Sequence, residues 1–198
     1  MYYTKEQAAD RIKAAYSEIK PMYDQTAEKS RAEYMANLPV GQPIPQEGII
    51  YGETNKGDFK NFVSGQRQKA LSTLSDYRDS IDDSMAAAPT DEALRAVQAF
   101  ALRDPDSMTR EEYADQVDRL MKRYGGNYTA YMTLYDMAVK KGILDFKKHP
   151  LAYEAEDIGR LEREIPRYFD SFEMLYHGAP SNGNVMMFNS TVDRYLSE

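Results

Sequence analysis

Apolar residues recur every three or four positions along most of this chain, and this spacing limits the fold more than any other feature. The longest stripe begins at Phe59 and predicts one helix of about 27 residues, ~40 Å long at 1.5 Å per residue. Its members are Phe59, Val63, Ala70, Leu74, Tyr77, Ile81 and Met85. The sequence therefore predicts an all-α protein, a bundle of about six to seven helices including two long ones.

Capping residues mark several helix starts. Thr4 and Thr109 each stand three residues before a glutamine or glutamate, which is the spacing of a capping box. Thr90, which is followed by two acidic residues, and Asn127, which follows Gly125-Gly126, indicate two further N-termini. These four positions divide the chain into separate amphipathic helices.

We expect a single domain over residues 1–198. Pro21 lies inside the first helical pattern and predicts a kink or split near Lys20, and Pro166 predicts a kink or interruption in the last long helix. The expected parts are an N-terminal helix over 1–37, an arm or loop over 38–57, a helical core over 58–177, and a tail with a short helix over 178–198, its cap at Ser190 or Thr191.

Residues 38–57, LPVGQPIPQEGIIYGETNKG, interrupt the helical pattern. Three prolines and four glycines exclude a long helix here, and Ile49, Ile50 and Tyr51 form a short apolar island. A connection of this length without regular structure is uncommon in a compact domain. Two interpretations follow: an arm that docks on another subunit, and a flexible surface loop.

Negative charge is concentrated in the middle of the chain. The whole chain has a net charge of -7, whereas the stretch from Asp76 to Asp118 has 12 acidic residues, four arginines and no lysine. This balance disfavours direct binding of nucleic acid through a broad basic face. The acidic stretch is either a solvated helical surface or a site for a basic partner.

Motifs for catalysis and metal binding are incomplete. The chain has no cysteine, which excludes disulfides and thiolate zinc sites. Gly52 and Gly57 have the spacing of a phosphate-binding loop, but Asp58-Phe59 replaces its lysine and hydroxyl. His149 and His177 lack the glutamate three positions earlier that a di-metal bundle needs, and we expect both rings to be solvated. We therefore expect a non-enzymatic protein without cofactor or metal.

The N-terminal residues, MYYTKEQAADRIK, contain no apolar segment of the kind found in signal peptides, and no run approaches 18 apolar residues. We expect a cytoplasmic or virion-associated protein that is not secreted and does not enter a membrane. The glycosylation acceptor pattern at Asn127-Tyr128-Thr129 therefore has no secretory context to support it.

The stretch RYGGNYTAYMTLYDM, residues 123–137, holds four of the chain's 16 tyrosines. On a helical wheel its polar stripe is narrow, so the helix needs neighbours on several sides. Tyr128 and Tyr135 lie together on one shoulder of this wheel. Their hydroxyl groups need hydrogen-bond partners, which indicates that they lie at the surface or at an interface.

The run from Ala93-Leu94-Arg95-Ala96-Val97 through LMKRYGGNYTAYMTLYDMAVKKGI resembles small all-helical proteins encoded among the structural genes of phages of Gram-positive bacteria. In those proteins an acidic helix is followed by a Gly-Asn-Tyr junction and a second helix that ends in Lys-Gly-Ile. The resemblance covers about a quarter of the chain. It implies a virion or assembly role and carries over no catalytic residue.

The sequence thus favours a non-enzymatic protein-interaction function, as an assembly or structural accessory of a phage or prophage. We expect its partner to be a protein, with self-association into a homo-oligomer as one form. The alternative is an acidic effector or inhibitor that binds a basic site on a host protein. The predicted contact residues are Ile49, Ile50, Tyr51, Asp76, Asp79, Asp83, Tyr128 and Tyr135.

Overall fold

The computed structural model describes residues 3–103, 107–173 and 181–196. Helices make up 78% of these residues, and no β-strand occurs among them, which confirms the all-α prediction. Eight helices are present in the described ranges: α1 (Lys5–Ser17), α2 (Ile19–Ala36), α3 (Glu53–Ala86), α4 (Asp91–Ala101), α5 (Arg110–Tyr124), α6 (Tyr128–Lys140), α7 (Pro150–Glu173) and α8 (Asn182–Leu196). His177 and the expected helix end at residues 178–180 lie outside the described residues.

The four capping residues occupy the positions expected of them. Thr4 and Thr109 form complete capping boxes at the starts of α1 and α5. Thr90 accepts a hydrogen bond from the backbone of Ala93 at 3.2 Å, and Asn127 accepts one from Ala130 at 2.9 Å. Each cap satisfies a backbone N–H that the first turn of a helix otherwise leaves unpaired.

Pro21 splits the N-terminal helical pattern, as predicted. Helix α1 ends at Ser17 and α2 begins at Ile19. The break falls there because Pro21 has no N–H to offer the carbonyl of Ser17, four residues earlier, and its ring crowds that carbonyl. Pro166 does not interrupt α7, which is continuous from Pro150 to Glu173.

Two helices begin earlier than the sequence indicates. Helix α3 starts at Glu53 rather than at Asp58, so the expected cap Asp58 lies inside the helix. Gly52, immediately before it, adopts φ of 78°, a left-handed conformation that favours glycine. Helix α8 starts at Asn182, after Ser181, whose hydroxyl accepts a hydrogen bond from the backbone of Asn184 at 3.2 Å. The short terminal helix expected after residue 189 is therefore the second half of a 15-residue helix.

The chain divides into two compact units. The first unit comprises Met1–Tyr77 and Asp157–Glu198, and the second comprises Arg78–Glu156. The second unit is thus continuous in sequence, whereas the first is built from two separate stretches. Helices α3 and α7 each contribute residues to both units.

Aromatic rings form the centre of the first unit. Tyr16 of α1 stacks on Phe188 of α8 at 4.1 Å between ring centroids, and its edge meets Phe169 of α7 at 5.2 Å. Aromatic pairs of this kind add about 0.5–1.5 kcal/mol to the gain from burial. Nearby, Arg67 of α3 forms an ion pair with Asp170 of α7 at 2.8 Å. Helices from both stretches of the chain thus share one core.

The second unit has its own core, built from α4, α5 and α6. Its buried residues recur at helical spacing on each of these helices and continue to Ile143 just after α6. The buried set is Ala93, Val97, Phe100, Tyr113, Val117, Met121, Ala130, Leu134, Ala138 and Ile143. The apolar stripes that the sequence assigns to α4 and α5 therefore face a common interior.

Candidate interaction surfaces

Residues 37–52 connect α2 to α3 through turns, without helix or strand. This connection is shorter than the expected arm over 38–57, because α3 includes residues 53–57. It is tied to α2 by three hydrogen bonds that involve backbone groups of the connection. Tyr23 donates to the carbonyl of Gly48 at 3.0 Å, Arg31 donates to the carbonyl of Pro45 at 3.2 Å, and the hydroxyl of Ser30 accepts from the N–H of Tyr51 at 2.9 Å. A free arm is not confirmed by these contacts.

The apolar island Ile49–Tyr51 divides between core and surface. Ile50 is only 4% exposed and belongs to the core of the first unit, so it is not available for contact with another protein. Ile49 is 41% exposed, and Tyr51 is half-buried with its ring 4.9 Å from that of Tyr34. Gly48 and Gly52, both with positive φ, flank the island and let the chain turn on either side of it.

Large apolar side chains are exposed along this same part of the chain. Val40 is fully exposed and Ile44 is 71% exposed, both within the connection. Tyr34 and Met35, at the end of α2, leave almost half of their surface in solvent. We call the set Tyr34, Met35, Val40, Ile44, Ile49 and Tyr51 the arm surface. The sequence identified only Ile49 and Tyr51 of this set.

Tyr128 and Tyr135 are both half-buried on α6, as their place on the shoulder of the wheel predicts. Tyr135 packs against the core of the second unit, whereas Tyr128 meets the ring of His149 edge-on at 5.4 Å. Tyr131 contacts His149 at 5.1 Å and donates its hydroxyl to the carbonyl of Lys147 at 2.9 Å. Tyr128 and Tyr131 thus contact the segment that leads into α7.

His149 is buried, whereas the sequence suggested a solvated ring. Its Nδ1 accepts a hydrogen bond from the N–H of Leu151 at 3.2 Å, so the ring caps the start of α7. The proton therefore resides on Nε2, which donates to the carbonyl of Gly125 at 3.1 Å. Because both ring nitrogens are engaged, His149 has no free nitrogen for proton transfer or for binding a metal.

The acidic residues Asp76, Asp79 and Asp83 are exposed along α3. Asp76 belongs to the first unit, and the other two belong to the second. Asp79 and the neighbouring Asp82 have no ion-pair partner among the described residues. Their carboxylates are therefore available to a cation from another molecule.

The described residues contain no group of three or more histidine, aspartate or glutamate side chains placed to hold a metal ion. None of the described helices combines the length and the apolar character that crossing a membrane requires. Comparison with protein-family models, curated proteins and solved structures found no significant similarity.

Proposed function

We propose that this protein is a non-enzymatic interaction protein that self-associates through the arm surface. The observation that carries the proposal is a group of apolar or aromatic side chains within residues 34–51, five of them exposed and Tyr51 half-buried. They lie at the end of α2 and on the connection that is hydrogen-bonded to this helix. Single exposed apolar residues are normal, whereas a group of them indicates a contact surface.

The way in which the connection is held supports this proposal. An interface that is already ordered loses less conformational entropy on binding than a disordered segment. The hydrogen bonds to Pro45, Gly48 and Tyr51 fix the backbone directly after the exposed Ile44 and on both sides of Ile49. Tyr34 and Tyr51, whose rings lie side by side, belong to the residue type that is enriched in interfaces.

A second copy of the chain is the occupant that we propose. Most soluble oligomers are homo-oligomers in which the same patch of both subunits meets across a two-fold axis, so one apolar patch is sufficient. The chain's net charge of -7 opposes such an association, and apolar contact has to outweigh this repulsion. We propose that the protein acts in a phage or prophage particle because the stretch that begins at Ala93 resembles small helical phage proteins.

Light scattering on the purified full chain tests this proposal. We expect a mass that rises with concentration toward a dimer or larger oligomer, and a monomer for the double variant Val40→Glu/Ile44→Glu. Burying a valine or isoleucine side chain contributes about 1.5–3 kcal/mol, so the loss of both should weaken association at least about tenfold.

The matched control is Val139→Glu/Leu144→Glu, which adds the same two charges at exposed apolar positions of the second unit. This variant should associate like the original chain. A chain that stays monomeric at every concentration, or two double variants that behave alike, would contradict the proposal.

A second proposal, an acidic effector that binds a basic protein, is favoured by the exposed carboxylates of Asp79 and Asp82. A fluorescent lysine-rich peptide is a suitable probe. It should bind with an affinity that falls steeply with added salt and is lowered by Asp79→Asn/Asp82→Asn. Unchanged binding by this variant would count against the effector function and would leave self-association untouched.

A further inference from the structure

A groove of about 410 Å³ lies between α4 and α5 in the second unit. Both helices pack more closely against α6 than against each other, and this arrangement leaves the groove open between them. Its lining runs from Ala96 to Arg103 on one side and from Gln116 to Leu120 on the other. Each wall is thus one to two helical turns long, about 6–11 Å at 1.5 Å per residue.

The bottom of the groove is apolar. Phe100 is almost completely buried there, Leu120 is half-buried, and Ala96 and Ala99 present only methyl groups. Small side chains on one wall allow the backbone of an incoming helix to approach closely. The alanines on one wall and Leu120 on the other fit the mode in which an amphipathic helix places its apolar face in a groove.

The polar side chains of the groove are cationic or neutral. Arg103 donates to the amide oxygen of Gln116 across the groove at 2.7 Å. Arg119 is exposed and has no partner among the described residues. No acidic residue belongs to the described lining, although the stretch from Asp76 to Asp118 is the most acidic part of the chain.

We propose that this groove binds an acidic amphipathic helix of a partner protein. The partner's apolar residues cover Ala96, Ala99 and Leu120, and its carboxylates pair with Arg103 and Arg119. Arginine suits this role because its planar guanidinium binds a carboxylate through two parallel hydrogen bonds. This surface shares no residue with the arm surface, so each proposal is tested independently of the other.

The experiment uses the full chain and two fluorescein-labelled peptides of about 14 residues, enough for about four helical turns. Both have leucine on one face; the other faces have glutamate in one peptide and lysine in the other. The chain's net charge of -7 favours the lysine peptide through non-specific attraction. A preference for the glutamate peptide therefore reports the local effect of the two arginines.

We expect saturable binding of the glutamate peptide in fluorescence polarisation. Arg119→Glu should weaken this binding at least about tenfold, since it replaces an attraction by a repulsion. The control Lys140→Glu makes the same change of charge at an exposed position of α6, outside the groove, and should leave binding within about twofold. Circular dichroism establishes that both variants keep the helical content of the original chain.

Three results would overturn the proposal. The first is that the glutamate peptide shows no saturable binding. The second is that the lysine peptide binds equally well or better, which would mean that the groove does not select for charge. The third is that Arg119→Glu binds the glutamate peptide like the original chain, which would place the peptide elsewhere on the surface.

Discussion

The imidazole of His149 donates from Nε2 to the carbonyl oxygen of Gly125, at a distance of 3.1 Å. The same ring accepts the backbone N–H of Leu151 at its other nitrogen. One side chain thus satisfies a carbonyl at the end of α5 and an N–H at the start of α7. Tyr128 and Tyr131 contact the ring edge-on and exclude solvent from it.

Replacing His149 should separate these two roles. His149→Ala loses the cap and leaves the Gly125 carbonyl without this donor, so we expect a loss of about 1–3 kcal/mol in the free energy of unfolding. His149→Asn keeps an acceptor suited to a helix start and should lose less. Urea unfolding followed by circular dichroism measures both, and equal midpoints for the two variants would argue against the cap.

The two adjacent glycines before α6 should respond differently to alanine. A Cβ on Gly125 would lie 2.2 Å from the carbonyl oxygen of Met121 and 3.1 Å from the ring of Tyr131, whereas a Cβ on Gly126 meets nothing within 4 Å. We expect Gly125→Ala to lower the free energy of unfolding by about 1–3 kcal/mol and Gly126→Ala to change it by less than about 0.5 kcal/mol. Thermal unfolding of the pair checks this, and a larger loss for Gly126→Ala would contradict it.

The hydroxyl of Tyr16 is buried and has no hydrogen-bond partner among the residues that the structure describes. Burial also raises the pKa of this phenol above its ordinary value, with a smaller contribution from Tyr168. Tyr16→Phe keeps the stack on Phe188 and removes the unpaired group, so we expect a gain of about 1 kcal/mol in stability.

Tyr168→Phe is the matched control for Tyr16→Phe, because the Tyr168 hydroxyl forms a 2.7 Å hydrogen bond with Thr191. This variant should lose about 1 kcal/mol instead. If both phenylalanine variants change the urea midpoint in the same direction, the hydroxyl of Tyr16 is not the cause.

The capping box of α5 should be visible in the titration of Glu112. Hydrogen bonds from the backbone N–H of Thr109, and then from its hydroxyl, hold the pKa of this carboxyl below its ordinary value of 4.5. Because the folded state favours the ionised carboxylate, the capping box stabilises the chain at pH values above the ordinary pKa of 4.5. Its contribution is lost as the pH falls through the lowered pKa.

Thr109→Val removes the hydroxyl and should raise the pKa of Glu112 toward its ordinary value, whereas Thr109→Ser should keep it low. NMR titration of the Glu112 side-chain carboxyl carbon measures this difference. An identical titration in both variants would show that the hydroxyl does not affect Glu112.

Local signals predicted the parts of the fold that depend on neighbouring residues. Caps such as Thr4 and Asn127 act within three residues of their own position, and Pro21 acts on the preceding turn, so the sequence suffices to find them. The start of α3 was missed because Gly57 was interpreted as part of a loop. A helix tolerates such a glycine, at a cost of about 1 kcal/mol, when packing of its apolar face outweighs that cost.

Features that depend on distant partners could not be predicted. The acceptor of His149 lies 24 residues earlier, so nothing near the histidine shows that its ring is buried. Ile49 and Ile50 are adjacent and chemically identical, and only the packing of the first unit decides which of them is covered. The groove between α4 and α5 likewise depends on where two helices lie in space.

The stack of Tyr16 on Phe188 has a consequence for biosynthesis. Helix α1 leaves the ribosome early, but the helix that covers its aromatic face is made only after the whole of the second unit. The second unit, continuous from Arg78 to Glu156, can complete its core while translation continues. The core of the first unit cannot be completed, and the ring of Tyr16 lacks its partner Phe188, until α8 has been synthesised. The order of synthesis therefore makes the middle of this chain the part that is able to fold first.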